Sequence, residues 1–307
     1  MHILVTGGAG FIGSHIADAY LASGHQVTIF DNLSTGRRKN VPAGAAFFEA
    51  DIRDADAVRR VFASGHFDLV NHHAAQMDIR RSVADPVYDA SVNILGVLTI
   101  LQECVRTGVS RMVFASSGGA AYGEQTAFPA DETHATHPIS PYGVAKLTTE
   151  QYLFYYHTVF GLDAVCLRYA NVFGPRQNPE GEAGVVAIFA NKLFAGQQAV
   201  INGDGKQTRD YVFVSDVVRA NMLVSGAHGF QVFNVGTGRE TDVNQIFHGV
   251  RTAVGSDCPE QHGEAKKGEQ RRSVLSHKRI RDAFGWTPAV TLEEGLRTTV
   301  EYFRKNQ

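Results

Sequence analysis

The chain has 307 residues, enough for one large domain or two modest ones. It is 44% hydrophobic and 20% charged, which fits a globular protein with a sizeable core. Its net charge of −2 gives no electrostatic basis for binding nucleic acid or an anionic membrane, and no apolar run approaches the roughly 18 residues that span a bilayer.

The chain opens on an apolar run, Ile3-Leu4-Val5, that reads as a buried strand. A start so close to a strand is read as leaving no room for a targeting segment. Thr6-Gly7-Gly8-Ala9-Gly10-Phe11-Ile12-Gly13 follows, and Phe11 to Leu21 has helical apolar spacing up to Gly24. A strand, a glycine-rich turn and a helix form a dinucleotide fingerprint. Gly7, Gly10 and Gly13 let the backbone turn tightly and approach a pyrophosphate, to which the helix N-terminus offers unpaired N–H groups. A second run, Val27-Thr28-Ile29-Phe30, ends in Asp31. That carboxylate stands about 20 residues beyond the loop, where ribose hydroxyls fall. It accepts two hydroxyls and repels a 2′-phosphate, so NAD is the expected cofactor. Arg37, Arg38 and Lys39 carry charge suited to such a phosphate, but a solvated basic loop is the preferred reading.

Strands and helices then alternate. Ala46–Glu49 reads as a third strand, Asp54 to Ala63 as a helix, and Asp68–His72 as a fourth strand ending in the small pair Ala74-Ala75. Asp85 is an N-cap with Pro86 at the first helical position, and that helix is expected to run through Asn93 to about Thr107 and stop at Gly108. Arg111–Ala115 is a fifth strand, ending in Ser116-Ser117-Gly118-Gly119. Such alternation implies a parallel sheet covered on both faces, with ligands beyond the strands' carboxyl ends. Ser140-Pro141 begins a helix ending near Gly161, before the strand Ala164–Arg168. Residues 176–184 are polar and read as a mobile loop. The second half mixes short strands with helices at about 185–195, 216–225, 242–254 and 292–304, the last opened by the capping box Thr291-Leu292-Glu293-Glu294. The fold class is therefore α/β: a Rossmann-like parallel sheet with helices on both faces, plus a smaller α+β portion.

Cys104, Cys166 and Cys258 are isolated and odd in number, which points to reduced thiols in a cytoplasmic protein. The 13 histidines show no metal-ligand spacing, and the adjacent His72 and His73 point to opposite faces of a strand, so no metal is expected.

Tyr142 and Lys146 stand one helical turn apart. A phenol is a poor base at neutral pH, and a neighbouring cation favours its phenolate. Such a pair can take a proton from an alcohol whose carbon gives hydride to nicotinamide. Tyrosine and lysine at this spacing also occur on surface helices that merely pack. Downstream of a dinucleotide fingerprint and a serine-bearing strand end, the catalytic reading is preferred.

Gly7-x-x-Gly10-x-x-Gly13, Asp31-Asn32, Asp51-Ile52, Ser116-Ser117, Tyr142-x-x-x-Lys146 and Arg168-Tyr169-x-Asn171 together resemble the extended short-chain dehydrogenase/reductase family. Within it the chain is similar to UDP-glucose 4-epimerases over nearly its whole length, including Gly203-Asp204-Gly205 and Arg209-Asp210-Tyr211-Val212. The resemblance implies an NAD-binding domain over 1–173 with a return segment near 208–238, and a mainly substrate-binding domain over 174–307. It implies that Gly7, Gly10, Phe11, Ile12 and Gly13 hold the pyrophosphate. Asp31 and Asn32 would hold the adenosine ribose, with Asp51 and Ile52 at the adenine. Ala74, Ala75 and Gln76 would pass beneath the cofactor near Asn93, with Ser116 also on the cofactor side. Tyr142 would be the base and Lys146 its activator, also bonded to the nicotinamide ribose, so that both belong to the cofactor site too, and Tyr169 and Val172 would line the nicotinamide pocket. Asn171 and Arg209 would grip a sugar nucleotide's diphosphate, with Val185, Arg272 and Ser273 also on the substrate. The implied partner is a second copy, joined through helices 86–107 and 141–160.

The family's dehydratases usually carry an Asp-Glu pair before the Tyr-Gly step, and related decarboxylases a glutamate. Here Gly119, Ala120 and Ala121 precede Tyr122-Gly123, which favours epimerisation: oxidation at C4, rotation of the ketose and hydride return. Two positions depart from the epimerase pattern. The hydroxyl four residues before Tyr122 is Gly118, so Ser117, a water or the cofactor ribose must substitute. An aromatic that often stacks on uracil is Asn202. Counting from Gly268-Glu269 places the small Ser273 where a residue walls the sugar pocket, and a small residue admits 2-N-acetyl groups; Lys266 stands where an arginine is usual. Other nucleotide-sugar epimerisations, of a UDP-N-acetylhexosamine or a UDP-glucuronate, are the alternatives. A non-catalytic NAD-binding regulator is the reading from another class, opposed by intact Tyr142 and Lys146.

Overall fold

The structure is a computed structural model and describes residues 1–179, 184–265 and 270–306. Its centre is a seven-stranded parallel sheet. The strands are β1 (His2–Thr6), β2 (Gln26–Asp31), β3 (Ala46–Glu49), β4 (Leu69–His72), β5 (Arg111–Ser117), β6 (Asp163–Tyr169) and a late strand, Phe230–Val235. The spatial order is the late strand, then β6, β5, β4, β1, β2 and β3, with every neighbouring pair parallel. The order reverses beside β1, which pairs with both β2 and β4. The crevice at that switch point is where a doubly wound sheet binds its ligand.

Period-two burial sorts each strand between two cores. Ile3 and Val5 face the layer of α1 (Phe11–Ala22), whereas Leu4 faces α2 (Ala55–Ala63) and α3 (Val97–Thr107). The long helix α4 (Pro141–Phe160) adds Leu153 and Tyr156 to the second core. Local signals set most helix ends. Asp54 accepts from the N–H groups of Asp56 and Ala57, Asp85 from Tyr88, and Ser140 from Gly143. Gly161 ends α4 in the left-handed conformation that a β-carbon disfavours.

The stretch expected as one helix from Pro86 to Thr107 is interrupted. Pro86–Ala90 is α-helical, Ser91–Gly96 is a π turn, and α3 follows. The inserted residue has a tertiary cause. Asn93 turns inward, accepting from the Gln76 N–H at 2.9 Å and donating to the Gln76 carbonyl at 2.8 Å.

Beyond β6 the chain builds the smaller portion around a third core. It contains β7 (Asn171–Phe173), α5 (Val185–Phe194), β8 (Val200–Asn202), β9 (Thr208–Arg209), β10 (Tyr211–Phe213) and α6 (Val214–Val224). After the late sheet strand, now β11, come β12 (Thr241–Asp242), α7 (Val243–Val254), β13 (Gln261–Gly263), β14 (Arg272–Ser273) and α8 (Leu292–Lys305). The strands pair as β7–β10, β8–β13 and β12–β9–β14. Thr291 and Glu294 form the expected capping box. α6 returns to pack against α1, so the later chain contributes both a strand and a helix to the main layer. Cys104 and Cys166 are buried free thiols and Cys258 is half-buried. Among the described residues no helix is long and apolar enough to cross a membrane. The reading of residues 176–184 as a mobile loop falls partly on 180–183, outside the described residues.

Candidate active site

The glycine turn is built by close backbone approach. Gly7 has φ +69°, and a β-carbon there would lie 2.6 Å from the Ala74 nitrogen. A β-carbon on Gly13 would lie 2.3 Å from the Gly7 carbonyl oxygen. Small residues thus seat α1 against β1 and β4. Gly10, the N-cap of α1, supplies no side-chain cap to the first N–H groups. A cradle of glycine backbone before an uncapped helix start fits a pyrophosphate. Phe11 and Ile12 form the first turn of that helix.

Asp31 is buried at the end of β2, accepting from Ala9 N–H at 2.9 Å and Leu33 N–H at 2.8 Å, and burial pushes its carboxyl up. Asn32 donates to Asp51 at 2.9 Å. The Arg53 guanidinium also grips Asp51 and holds its carboxyl down to about 2. Ile52 packs where a β-carbon on Gly96 would meet it at 2.7 Å. The residues expected at the adenosine end therefore form one connected group.

Ala74, Ala75 and Gln76 follow β4, and the Gln76–Asn93 exchange fixes that segment. His72 and His73 diverge as expected, stacking on Phe114 and Tyr169 respectively. Among the described residues no cluster of His, Cys, Asp and Glu is arranged to hold a metal ion.

Tyr142 and Lys146 lie in the first turns of α4, beside the end of β5. Lys146 is 4% exposed, donates to the Ala115 carbonyl at 2.8 Å and sits 5.6 Å from the Tyr142 ring centroid. Burial brings its ammonium down to about 8, against the opposing pull of Asp89 and Glu150. Burial pushes the Tyr142 phenol up, Asp89 pushes it further, and the opposing influence is a hydrogen bond with the Ser117 side chain. The ammonium is directed at the strand-end carbonyl rather than at the phenol oxygen.

Ser117 thus offers a hydroxyl beside the Tyr142 phenol. Gly118 has no room for one: a β-carbon there would lie 2.4 Å from a methyl of the fully buried Leu275. The Ser116 hydroxyl donates to Glu150 at 2.6 Å inside the protein. Tyr169 is also turned inward, its hydroxyl bonded to His73 at 3.0 Å and to Asn221 at 2.8 Å.

On the opposite wall, Asn171 N–H donates to the Asp210 carbonyl at 2.8 Å, and Val172 pairs with Val212. Arg209 precedes Asp210 and is the register partner of Ser273 across β9 and β14. A β-carbon on Gly119 would lie 3.3 Å from the Ser273 hydroxyl. Ser273 therefore lies between Arg209 of β9 and Gly119 after β5. Val185 opens α5. Arg272 is held by Glu240 at 2.8 Å and stacks 3.8 Å over Phe128. Gly268, Glu269 and Lys266, from which the place of Ser273 is counted, lie outside the described residues. Leu275 and Asp89 carry no sequence motif and went unread; only their packing reveals them.

The model of the NAD dependent epimerase/dehydratase family matches residues 3–236. The chain belongs to that family. It is 45% identical over 311 residues to the UDP-glucose 4-epimerase of Mycolicibacterium smegmatis, covering 99% of both chains. A UDP-glucose 4-epimerase of Thermotoga maritima, crystallised with UDP-glucose, superposes with a TM-score of 0.98 at 48% identity, covering 100% of this chain and 99% of that one. The UDP-glucose 4-epimerase of Thermus thermophilus, in complex with NAD, gives 0.95 at 45% identity, covering 99% of each.

The glycine cradle makes one prediction. Gly13→Val places three carbons against the Gly7 carbonyl, so the purified variant will carry less than about a tenth of the wild-type NAD per chain, a loss of at least about 1.4 kcal/mol in affinity. Cofactor released on denaturation measures it.

Proposed function

We propose that this chain is an NAD-dependent UDP-glucose 4-epimerase, interconverting UDP-glucose and UDP-galactose by oxidation and re-reduction at C4. One observation carries the choice within the family: Tyr142, Lys146 and Ser117 meet at the end of β5, while the turn that follows holds Gly119, Ala120 and Ala121. A base and a hydroxyl serve proton removal and return. No carboxylate stands in that turn to eliminate water from the ketone.

NAD, when bound, supplies a reversible hydride acceptor. The glycine cradle and α1 would hold its pyrophosphate, Asp31 and Asn32 its adenosine ribose, and Ala74 to Gln76 its underside. Tyr142 takes the proton of the C4 hydroxyl and returns it after the sugar turns over. Ser117 steadies the reacting oxygen, and Lys146 fixes the local charge. Arg209 and Asn171 would anchor the diphosphate, leaving the hexose free to rotate between them and β5. A cytoplasmic setting accords with free thiols at Cys104 and Cys166.

The test is turnover by NAD-loaded protein with UDP-glucose and UDP-galactose, resolved by product separation. Tyr142→Phe is expected to retain NAD and lose about 10²–10⁴-fold in kcat. Activity within about threefold of wild type would assign the base elsewhere.

A homodimer is also proposed. Val87, Leu95, Val105, Val144, Phe154, Tyr155 and Val159 are exposed apolar residues along α3, α4 and the turns before α3. We read them as the surface that a second copy covers. Sedimentation at micromolar concentration should show a dimer, and a monomer there refutes it.

Ser273 is buried between Arg209 and Gly119, which favours its role as the sugar-pocket wall. A wall of one hydroxymethyl leaves space for an acetamido group without rejecting a hydroxyl, since a single lost contact is worth about 1–3 kcal/mol. Both plain and N-acetylated UDP-hexoses are expected to turn over. Ser273→Tyr should reduce kcat/KM for the N-acetylated sugar by about tenfold or more, with little change for UDP-glucose. An unchanged ratio would remove Ser273 from the wall.

A further inference from the structure

β7 leads into an arm, Pro175-Arg176-Gln177-Asn178, at the start of the polar stretch before α5. Each residue of this arm bonds outside it. The Pro175 carbonyl accepts from the His15 ring at 3.0 Å. The Arg176 guanidinium lies 2.7 Å from the Asp18 carboxylate and donates to the Ser14 hydroxyl at 3.1 Å. Ser14 in turn donates to the Phe11 carbonyl. The Gln177 amide donates back to the Val172 carbonyl at 3.1 Å, and the Asn178 side-chain oxygen accepts from Arg37 at 3.3 Å.

The partners at both ends of the arm belong to the cofactor side. Ser14 and Asp18 stand one helical turn apart on α1, which begins where the glycine turn ends. Arg37, in the loop after β2, donates its backbone N–H to the Ala9 carbonyl at 2.9 Å, inside the glycine turn. The arm thus runs from α1 to the loop after β2, and both anchors adjoin the Gly7–Gly13 cradle.

Arg176 is held in an unfavourable backbone conformation to do this. Its φ is +68°, in the left-handed region that a β-carbon disfavours. Among the described residues the other non-glycine with positive φ is Leu33, whose N–H is bound by Asp31 at the adenosine end. Such residues persist where surrounding bonds over-determine them, and ligand clamps are a common setting. For Arg176 those bonds are the two that its guanidinium makes to α1.

We propose that Arg176 is a positioning residue: it fastens residues 175–178 to α1 as a strap beside the cofactor cradle, so that NAD leaves readily only when the strap is released. This rests on the reading of the glycine turn and Asp31 as the NAD site. The side chains of Arg176 and Asp18 are 25% and 41% exposed, so solvent screens the pair and its effect is a matter of severalfold rather than of orders of magnitude.

The test is the rate of NAD release from NAD-loaded protein without sugar nucleotide. Freed NAD is captured by excess alcohol dehydrogenase with ethanol and read as NADH absorbance. Arg176→Gly removes the guanidinium and suits the left-handed backbone, so a lost grip cannot come from backbone strain. It should release NAD about fivefold faster, the upper end of what a part-exposed ion pair contributes, with kcat at saturating NAD within about twofold of wild type. Asp18→Asn removes the pair from the helix side and should quicken release to a similar extent. The double variant should be no faster than the faster single one, because the two side chains act as one contact. Arg176→Lys keeps the charge and should release NAD within about twofold of the wild-type rate. Unchanged release in Arg176→Gly overturns the proposal, as do effects of the two substitutions that multiply. A loss of kcat at saturating NAD as large as the gain in release rate overturns it too, since Arg176 would then act on the chemistry. If Arg176→Gly does not accumulate, Asp18→Asn tests the same contact from the helix. The epimerase reading fails separately, if NAD-loaded wild-type protein turns over neither UDP-hexose.

Discussion

The ion pair between Glu150 and Arg168 fastens the reactive helix to the sheet. Its side chains are 2% and 7% exposed, and the guanidinium contacts both carboxylate oxygens, at 3.0 and 2.6 Å. Burial opposes the charge on Arg168, and the bonds to Glu150 and Tyr122 more than restore it. Glu150 stands one turn beyond Lys146, so its grip sets the height of α4 over β5 and β6. Ser116 adds a bond from β5, and the Tyr122 hydroxyl accepts from Arg168 and donates to Asn234 of β11 at 2.8 Å. Four elements and the turn after β5 thus converge on one pair of charges. Such a pair adds little net stability over an apolar replacement, but removing one partner costs about 3–5 kcal/mol. Its value here is geometric: few other arrangements satisfy all these bonds.

That fastening explains how Lys146 is used. Its ammonium is drawn to the Ala115 carbonyl at the strand end and is desolvated there. The cation is held at that carbonyl, 5.6 Å from the Tyr142 ring centroid. The polar contact to Tyr142 comes from Ser117. Gly118 and Leu275 complete the picture. A leucine methyl occupies the space a side chain at 118 would need.

Local chemistry was legible in the sequence, and long-range geometry was not. Asp54, Asp85-Pro86, Ser140-Pro141 and Thr291 announced helix starts because a cap is made within four residues. Gly7, Gly13 and Asp31 announced the cofactor cradle because strand, turn and helix are contiguous. The π turn could not be read, since Asn93 leaves the helix for Gln76, 17 residues away. Ser116 and Ser117 are adjacent in a motif, and only the fold sends one hydroxyl to Glu150 and the other to the phenol. The strands β8, β9 and β12 to β14 span two or three residues each and have no period to detect. The rise in the Tyr142 phenol comes from burial, which spacing along a helix does not reveal.

The two halves are joined at Asp210 as firmly as the reactive helix is joined at Glu150. Its buried carboxylate accepts from the N–H groups of Thr237, Gly238 and Leu275 and from the Thr237 hydroxyl. Those bonds tie β10 to the turn after β11, the last strand on its edge of the main sheet, and to the segment after β14. Asp210 directly follows Arg209, and Leu275 lies two residues past Ser273. The carboxylate that orders this junction therefore also fixes how far Arg209 stands from Ser273, and presses Leu275 against Gly118. Three backbone donors would lose their partner without it, each at about 1–3 kcal/mol. The setting of Arg209 beside Ser273 and the packing of Leu275 against Gly118 consequently depend on the same buried acid.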